Sequence, residues 1–254
     1  MASAPPPLTA CVFTHRGAVR HHNEDAAVIG GCAFAAVDFS GTHTVTVDTD
    51  GPIVVAVADG LGGHTAGELA SSHTVLRLAQ LAGHMSSAEG IAQVLREISD
   101  EIHALGNHST NGPATTVVGL VVSADRTWWF NVGDSKLFRL DGGYLGMLSV
   151  DDIPLDPFGE VGAFVKTGVV TQVLGGAPTD RLAPHVGQDD PLRNQRYLLC
   201  SDGLTDLVTT TELETILATN PDDDARAVRA MWAAAMNAGG HDNITVVLVR
   251  RAAE

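Results

Sequence analysis

The stretch Ile53-Val-Val-Ala-Val-Ala-Asp-Gly-Leu-Gly-Gly-His64 runs six apolar residues into an aspartate and a burst of glycines. An unbroken apolar run of this length, rich in β-branched side chains, reads as a strand buried on both faces. Asp-Gly behind it is a turn signal, because both residues tolerate positive φ. A turn is a complete account of Asp59-Gly60 taken alone. Whether it suffices depends on what stands at the ends of the other strands.

Working outward, apolar runs occur at Ala10–Phe13, Ala26–Val37 and His43–Val47 before this strand. The period then changes. Leu69, Ala70, Val75, Leu76, Leu78 and Ala79 suggest an amphipathic helix over 65–82. Ile91, Val94, Leu95, Ile98, Ile102 and Leu105 mark a second over 87–105. Strands return at Thr116–Val122, Thr127–Val132, Lys136–Leu140 and Tyr144–Ser149, the last two joined by the hairpin signal Asp141-Gly142-Gly143. Residues 150–195 read as an irregular loop or flap with a short helix near Val170–Leu174. A strand at Arg196–Cys200, helices at 210–217 and 223–237, and a strand at Ile244–Arg250 follow. Strands, then helices, then strands again predict an α+β fold with mostly antiparallel sheets. Residues 1–8 are expected to be a flexible lead-in, and 9–254 a single domain.

Composition narrows the function. The chain has 254 residues, 44% of them hydrophobic, enough for a substantial core. Fifteen Lys and Arg against 30 Asp and Glu leave a net charge of −15, and no basic stripe is evident, so nucleic-acid binding is not expected. Cys11, Cys32 and Cys200 are odd in number and widely spaced, which argues against a disulfide framework and fits a reducing cytosol. No signal peptide or membrane span is read, and a soluble cytoplasmic monomer is expected.

The acids recur at strand boundaries. Asp59 follows Ile53–Ala58, Asp134 follows Trp128–Gly133, and Asp202 follows Tyr197–Ser201. Glu24-Asp25 precedes Ala26, and Asp242-Asn243 precedes Ile244. Each has a turn or cap explanation by itself. Strands of a packed sheet, however, end on a common rim, where converging carboxylates repel unless a cation lies between them. Mg²⁺ or Mn²⁺ suits such all-oxygen sites, and a glycine beside the acid lets a backbone carbonyl approach.

Five segments carry a resemblance. Arg20-His-His-Asn-Glu-Asp25, Val57-Ala-Asp-Gly-Leu-Gly-Gly-His64 with Gly67-Glu68, Val132-Gly-Asp-Ser135, Leu199-Cys-Ser-Asp-Gly-Leu204 and Gly240-His-Asp-Asn-Ile-Thr245 occur in this order. Together they resemble the metal-dependent protein Ser/Thr phosphatases of type 2C, the PPM family, in bacterial form, from about Cys11 to Val249. The resemblance implies two antiparallel sheets face to face with helices outside, and hydrolysis of phosphoserine and phosphothreonine by a metal-bridging water or hydroxide. It implies that Asp59 bridges two Mn²⁺ or Mg²⁺ ions, with the Gly60 carbonyl and Glu24 completing one side and Asp202 and Asp242 the other. Asp25 would orient water, Asp134 with Asp202 would hold a possible third ion, and Arg20 would bind the substrate phosphate. A bacterial Ser/Thr kinase would be the natural counterpart.

The chain departs from the family in places. Leu61 stands where some members have a histidine proposed as general acid, so the proton donor is open between His64 and water at the third ion. Ala114-Thr-Thr116 replaces Gly-Thr-Thr, and Ser149-Val-Asp-Asp152 replaces the usual Thr-x-Asp-His. Among other phosphatase chemistries, no Cys-x5-Arg loop or Gly-x-Ser-x-Gly elbow occurs. Asp48-Thr-Asp-Gly51, which could suggest an aspartate nucleophile, reads instead as a hairpin turn between His43–Val47 and Ile53–Ala58. The rival of another class is a catalytically weak pseudo-phosphatase acting as a binding and signalling module.

Overall fold

The computed structural model describes residues 6–49, 51–62, 65–107, 109, 112–154, 169–176 and 181–251. His64, His108 and residues 155–168 of the expected flap lie outside the described residues. In chain order the elements begin with β1 (Leu8–His15), β2 (Ala26–Ile29), β3 (Cys32–Ala35), β4 (His43–Val47), β5 (Ile53–Ala58) and β6 (Gly60–Leu61). Helices α1 (Thr65–Leu81) and α2 (Ala88–Leu105) follow, then β7 (Ala114–Thr115), β8 (Val117–Val122), β9 (Thr127–Val132), β10 (Lys136–Asp141) and β11 (Tyr144–Met147). Beyond them come β12 (Leu174–Gly175), β13 (His185–Asp189), β14 (Arg196–Cys200), α3 (Asp202–Thr205), α4 (Thr210–Thr219), α5 (Asp224–Asn237) and β15 (Ile244–Arg251).

Two six-stranded antiparallel sheets form, ordered β11-β10-β14-β15-β1-β4 and β13-β9-β8-β5-β2-β3, with a short ribbon β12-β7-β6 beside them. The central strands are apolar throughout because each has two buried faces. In β5, Val55 and Val57 meet the opposing sheet, while Val54, Ala56 and Ala58 pack under α1 and α2. In β15, Val247 and Val249 face the other sheet and Ile244, Val246 and Leu248 lie under α4 and α5. Three apolar layers therefore separate four structural ones, helix–sheet–sheet–helix. This is the expected α+β class. The register β1↔β15 runs from Leu8↔Arg251 to His15↔Ile244, so β1 begins at a fully buried Leu8.

Local chemistry explains the helix ends. Ser87 accepts from the Gly90 N–H and starts α2, and Thr209 with Glu212 forms a capping box on α4. The Gly142-Gly143 turn between β10 and β11 has φ of 57° and 92°, which glycine adopts without strain.

Several expectations are corrected. The run 26–37 is a hairpin, not one strand, folding at Gly30-Gly31. Strands β4 and β5 are not a hairpin: β4 pairs with β1 in one sheet and β5 with β2 and β8 in the other. No helix forms near Val170–Leu174, where Leu174–Gly175 pairs with β7. The supposedly irregular 150–195 contains β13, whose polar sequence hid it. On α1 the buried face is Gly67, Ala70, Ser71, Thr74, Val75 and Leu78, while Leu69 and Leu76 face solvent. Small and hydroxyl side chains let that helix lie close to the site.

Gly119 of β8 sits directly across from Phe130 of β9, and a Cβ there would come within 2.8 Å of the ring. Gly119→Ala is expected to cost about 1–3 kcal/mol by overpacking. Combining it with Phe130→Leu should cost less than the two changes summed, in urea unfolding. Strict additivity would show that the ring is free to move aside.

Candidate metal centre

The acids at the strand boundaries do meet. Asp59 leaves β5, Asp134 leaves β9, Asp202 opens α3 after β14, Glu24 and Asp25 enter β2, and Asp242 enters β15. The two sheets bring these ends to one rim. The electrostatics record the meeting. Burial, then the charges of Asp25, Asp202, Asp242 and Asp134, hold the Asp59 carboxyl well above the ordinary carboxylate range. Burial and the nearby Asp134, Asp242 and Asp206 push Asp202 up to about 6. Burial raises Asp25 to about 7 against the pull of hydrogen bonds from Ser201 and Thr245, with Asp202 and Asp242 adding to the rise. Asp134 is raised too, chiefly by burial, with Lys136 opposing.

Among the described residues, no three His, Cys, Asp or Glu side chains close around a single point. The acids line a shared rim rather than a finished cage. Three observations nevertheless fit divalent cations. Asp25 Oδ1 and Asp202 Oδ1 are buried without a hydrogen-bond partner. Gly60 and Gly67 face each other beside Glu24, and a Cβ on Gly60 would lie 2.6 Å from the Glu24 carbonyl oxygen, so only glycine leaves this cradle open. The converging side chains are oxygen donors, the set preferred by Mg²⁺ and Mn²⁺.

Hydrogen bonds hold the rim. Asn243, buried beside Asp242, gathers the 16–24 loop. Its Nδ2 donates to the carbonyls of Arg16 (3.1 Å) and His22 (2.9 Å), and its Oδ1 accepts from the Glu24 N–H (2.8 Å). Its own N–H donates to Asp242 Oδ1 at 2.8 Å. One side chain thus ties the segment bearing Arg20 and Glu24 to Asp242. Arg20, half exposed, reaches Asp242 Oδ2 at 2.7 Å. Ser201 donates to Asp25 Oδ2 at 2.7 Å. Below, Thr14, Thr245 and Asn23 form a buried hydroxyl–amide chain. The Asp59 backbone is held by Thr115 and Thr116, the two threonines after Ala114.

Reading by strand ends missed Asn243 as a clasp, Asp206, which adds charge to Asp202, and Lys136, whose Nζ lies 2.6 Å from Asp151. Asp206 is four residues past Asp202, a helical spacing that recognising α3 would have exposed. Leu61 lies in β6, paired with Ala114 of β7.

Residues 41–245 match the family model for protein phosphatase 2C. The serine/threonine phosphatase stp of Listeria monocytogenes is 32% identical over an alignment covering 94% of this chain and 94% of that one. The fold superposes on PppA, a regulatory component of the type VI secretion system in Pseudomonas aeruginosa, with a TM-score of 0.78 over 98% of this chain and 100% of that one at 24% identity. It also resembles the catalytic domain of the phosphatase PstP in complex with two manganese ions, at a TM-score of 0.74, 25% identity, and coverage of 96% and 98%.

Two outcomes follow from the raised carboxyls. Asp25 and Asp202 bind protons more tightly folded than unfolded, where 3.8 is the ordinary value. Their contribution to stability is therefore full below that value and lost as pH rises through about 6 and about 7. Metal-free protein should lose Tm between about pH 5 and about pH 8, and Asp202→Asn should lose less, by about 2–4 °C per kcal/mol recovered. Added Mn²⁺ should raise the wild-type Tm more at the higher pH, because it competes with those protons. A Tm that climbs across this window without metal would contradict the electrostatic account. For the clasp, Asn243→Ala should weaken both Mn²⁺ binding and KM about tenfold; an effect on only one would break the link between Arg20 and Glu24.

Proposed function

We infer the function from one premise: the chain belongs to the protein phosphatase 2C family. It is a protein serine/threonine phosphatase, a Mn²⁺- or Mg²⁺-dependent hydrolase of phosphoric monoesters that acts on phosphorylated proteins. The observation that carries this reading to the residues is the convergence of Asp25, Asp134, Asp202 and Asp242 on Asp59 at one rim, close enough for their charges to act on it.

Asp59, the Gly60 carbonyl and Glu24 would hold one cation, and Asp59, Asp202 and Asp242 another. Asp134 with Asp202 would hold a third, weaker one. When bound, such a pair supplies positive charge and lowers the pKa of water toward neutrality. The chain's own groups do the rest. Ser201 occupies Asp25 Oδ2 and leaves Oδ1 to accept a hydrogen bond from the attacking water, orienting it. Arg20 exchanges Asp242 Oδ2 for the substrate phosphate, to which a guanidinium offers two parallel donors. A new oxygen–phosphorus bond then forms opposite the bond to the Ser or Thr oxygen, which breaks and takes up a proton.

Residues 9–254 are taken as one phosphatase domain. A cognate Ser/Thr kinase and its targets are the proposed counterparts, and a cytoplasmic monomer without nucleic-acid or membrane partners the proposed form. Net charge of −15 supports the exclusion of nucleic acid. Among the described residues, no helix is long and apolar enough to cross a membrane.

Hydrolysis of p-nitrophenyl phosphate and of a phosphothreonine peptide tests the assignment. Activity should require Mn²⁺ or Mg²⁺ and disappear in chelator. Asp202→Asn should lower kcat at least about 100-fold. Arg20→Ala should lower kcat/KM about 10- to 100-fold, the equivalent of charge-assisted hydrogen bonds worth about 1.5–3 kcal/mol. Undiminished turnover by Asp202→Asn in chelator would refute the mechanism.

A further inference from the structure

Asp134 stands between two firmly held neighbours, and its own carbonyl accepts from Lys136 Nζ at 3.4 Å. On one side, the Ser135 hydroxyl shares a hydrogen bond with Thr116 Oγ1 at 2.7 Å. Thr116 also receives the Asp59 N–H at 3.3 Å and donates its own N–H to the Asp59 carbonyl at 2.9 Å. On the other side stands Gly133, at φ 99°, where a Cβ would strike Thr116 at 2.6 Å. Both backbone polar groups of Gly133 reach Asp152, and the carbonyl also accepts from Asn131 Nδ2 at 3.3 Å. Its N–H donates to Asp152 Oδ2 at 2.9 Å, and its carbonyl accepts from the Asp152 N–H at 3.1 Å.

Asp152 is only 7% exposed and holds more than this turn. Its Oδ1 accepts from Gln172 Nε2 at 2.8 Å, and His185 Nε2 of β13 lies 2.9 Å from the same oxygen. Its carbonyl accepts from the Thr171 N–H at 2.7 Å. The carboxylate therefore joins the Gly133–Asp134 turn to the chain on both sides of residues 155–168 and to β13. Asp152 is also one of the two positions, with Ser149, at which Ser149-Val-Asp-Asp152 departs from Thr-x-Asp-His.

We propose that Asp152 is a positioning residue of the phosphatase site: it sets the Gly133–Asp134 turn, and so the direction in which Asp134 presents its oxygens to a cation. This rests on the assignment of Asp134 made under the proposed function. The chemistry favours a carboxylate. Gly133 and Gln172 donate, each to a separate oxygen, and a carboxylate accepts at both oxygens while an amide accepts at only one. Asp152→Asn satisfies one side and turns an NH₂ toward a donor on the other.

Four proteins decide the matter: wild type, Asp152→Asn, Asp134→Asn and the double variant. Each is titrated with Mn²⁺ alone by calorimetry and, separately, during p-nitrophenyl phosphate hydrolysis. Asp152→Asn should weaken the weakest Mn²⁺ site and raise the half-saturating Mn²⁺ about tenfold, as loss of an outer partner of a metal ligand does, with KM moving less than about twofold. The double variant should match Asp134→Asn, because Asp152 acts through it. Gln172→Glu, at a half-buried position, sets a second carboxylate against Asp152 Oδ1. It serves as the milder variant and should shift half-saturation the same way, about threefold. A shifted titration for Asp134→Asn beside a wild-type one for Asp152→Asn and Gln172→Glu overturns the proposal alone. Full additivity in the double variant also overturns it. A wild-type titration for Asp134→Asn overturns the assignment of Asp134 and the proposal together.

Discussion

Repulsion among buried carboxylates governs this protein. Two sheets packed face to face deliver Asp25, Asp59, Asp134 and Asp202 to one rim beside Asp242; burial disfavours ionisation of the first four, and neighbouring acids raise Asp25, Asp59 and Asp202 further. No single acid is unusual in sequence. Their convergence is expensive, and a fold that keeps such a cluster needs protons or cations to offset it. Raised carboxyl groups at Asp25, Asp59 and Asp202 answer that constraint with protons, and divalent cations answer it with charge.

Much of what holds a cluster under such strain carries no charge. Amides and hydroxyls do this. Asn243 ties the Arg20 and Glu24 segment to Asp242, Ser201 fixes one oxygen of Asp25, and Thr115 and Thr116 grip the Asp59 backbone. Charged groups take part as well: Arg20 reaches Asp242, Lys136 opposes the rise of Asp134, and the Asp152 carboxylate accepts from backbone and side-chain donors. The glycines belong to the same scheme. Gly60, Gly67 and Gly133 stand where backbone approaches backbone or a threonine too closely for any Cβ.

Periodicity served well where one physical cause acted. The unbroken apolar runs of β5, β8, β14 and β15 are buried on both faces, and the regular stripe of α2 packs on a sheet, so both were legible. It failed where causes overlapped. Leu69 and Leu76 suggested the wrong face of α1, because that helix needs small residues at its contact with β6 and the site. The polar His-Val-Gly-Gln-Asp of β13 gave no signal, since an edge strand hydrogen-bonds through its backbone. Residues 48–52 looked like a hairpin turn because turn chemistry is local, whereas the sheet a strand joins is settled by pairing far along the chain.

The order and spacing of acidic, glycine-rich segments at strand boundaries determined, without any coordinates, the fold class, the family and the residue types at the site. Those features are properties of short stretches, and short stretches carry them intact. Which hydrogen bonds aim the acids was decided only by tertiary structure. Asn243 meets Glu24 across 219 residues and Ser201 meets Asp25 across 176. Contacts between residues so far apart exist only after the sheets have closed, so nothing in the local pattern announces them.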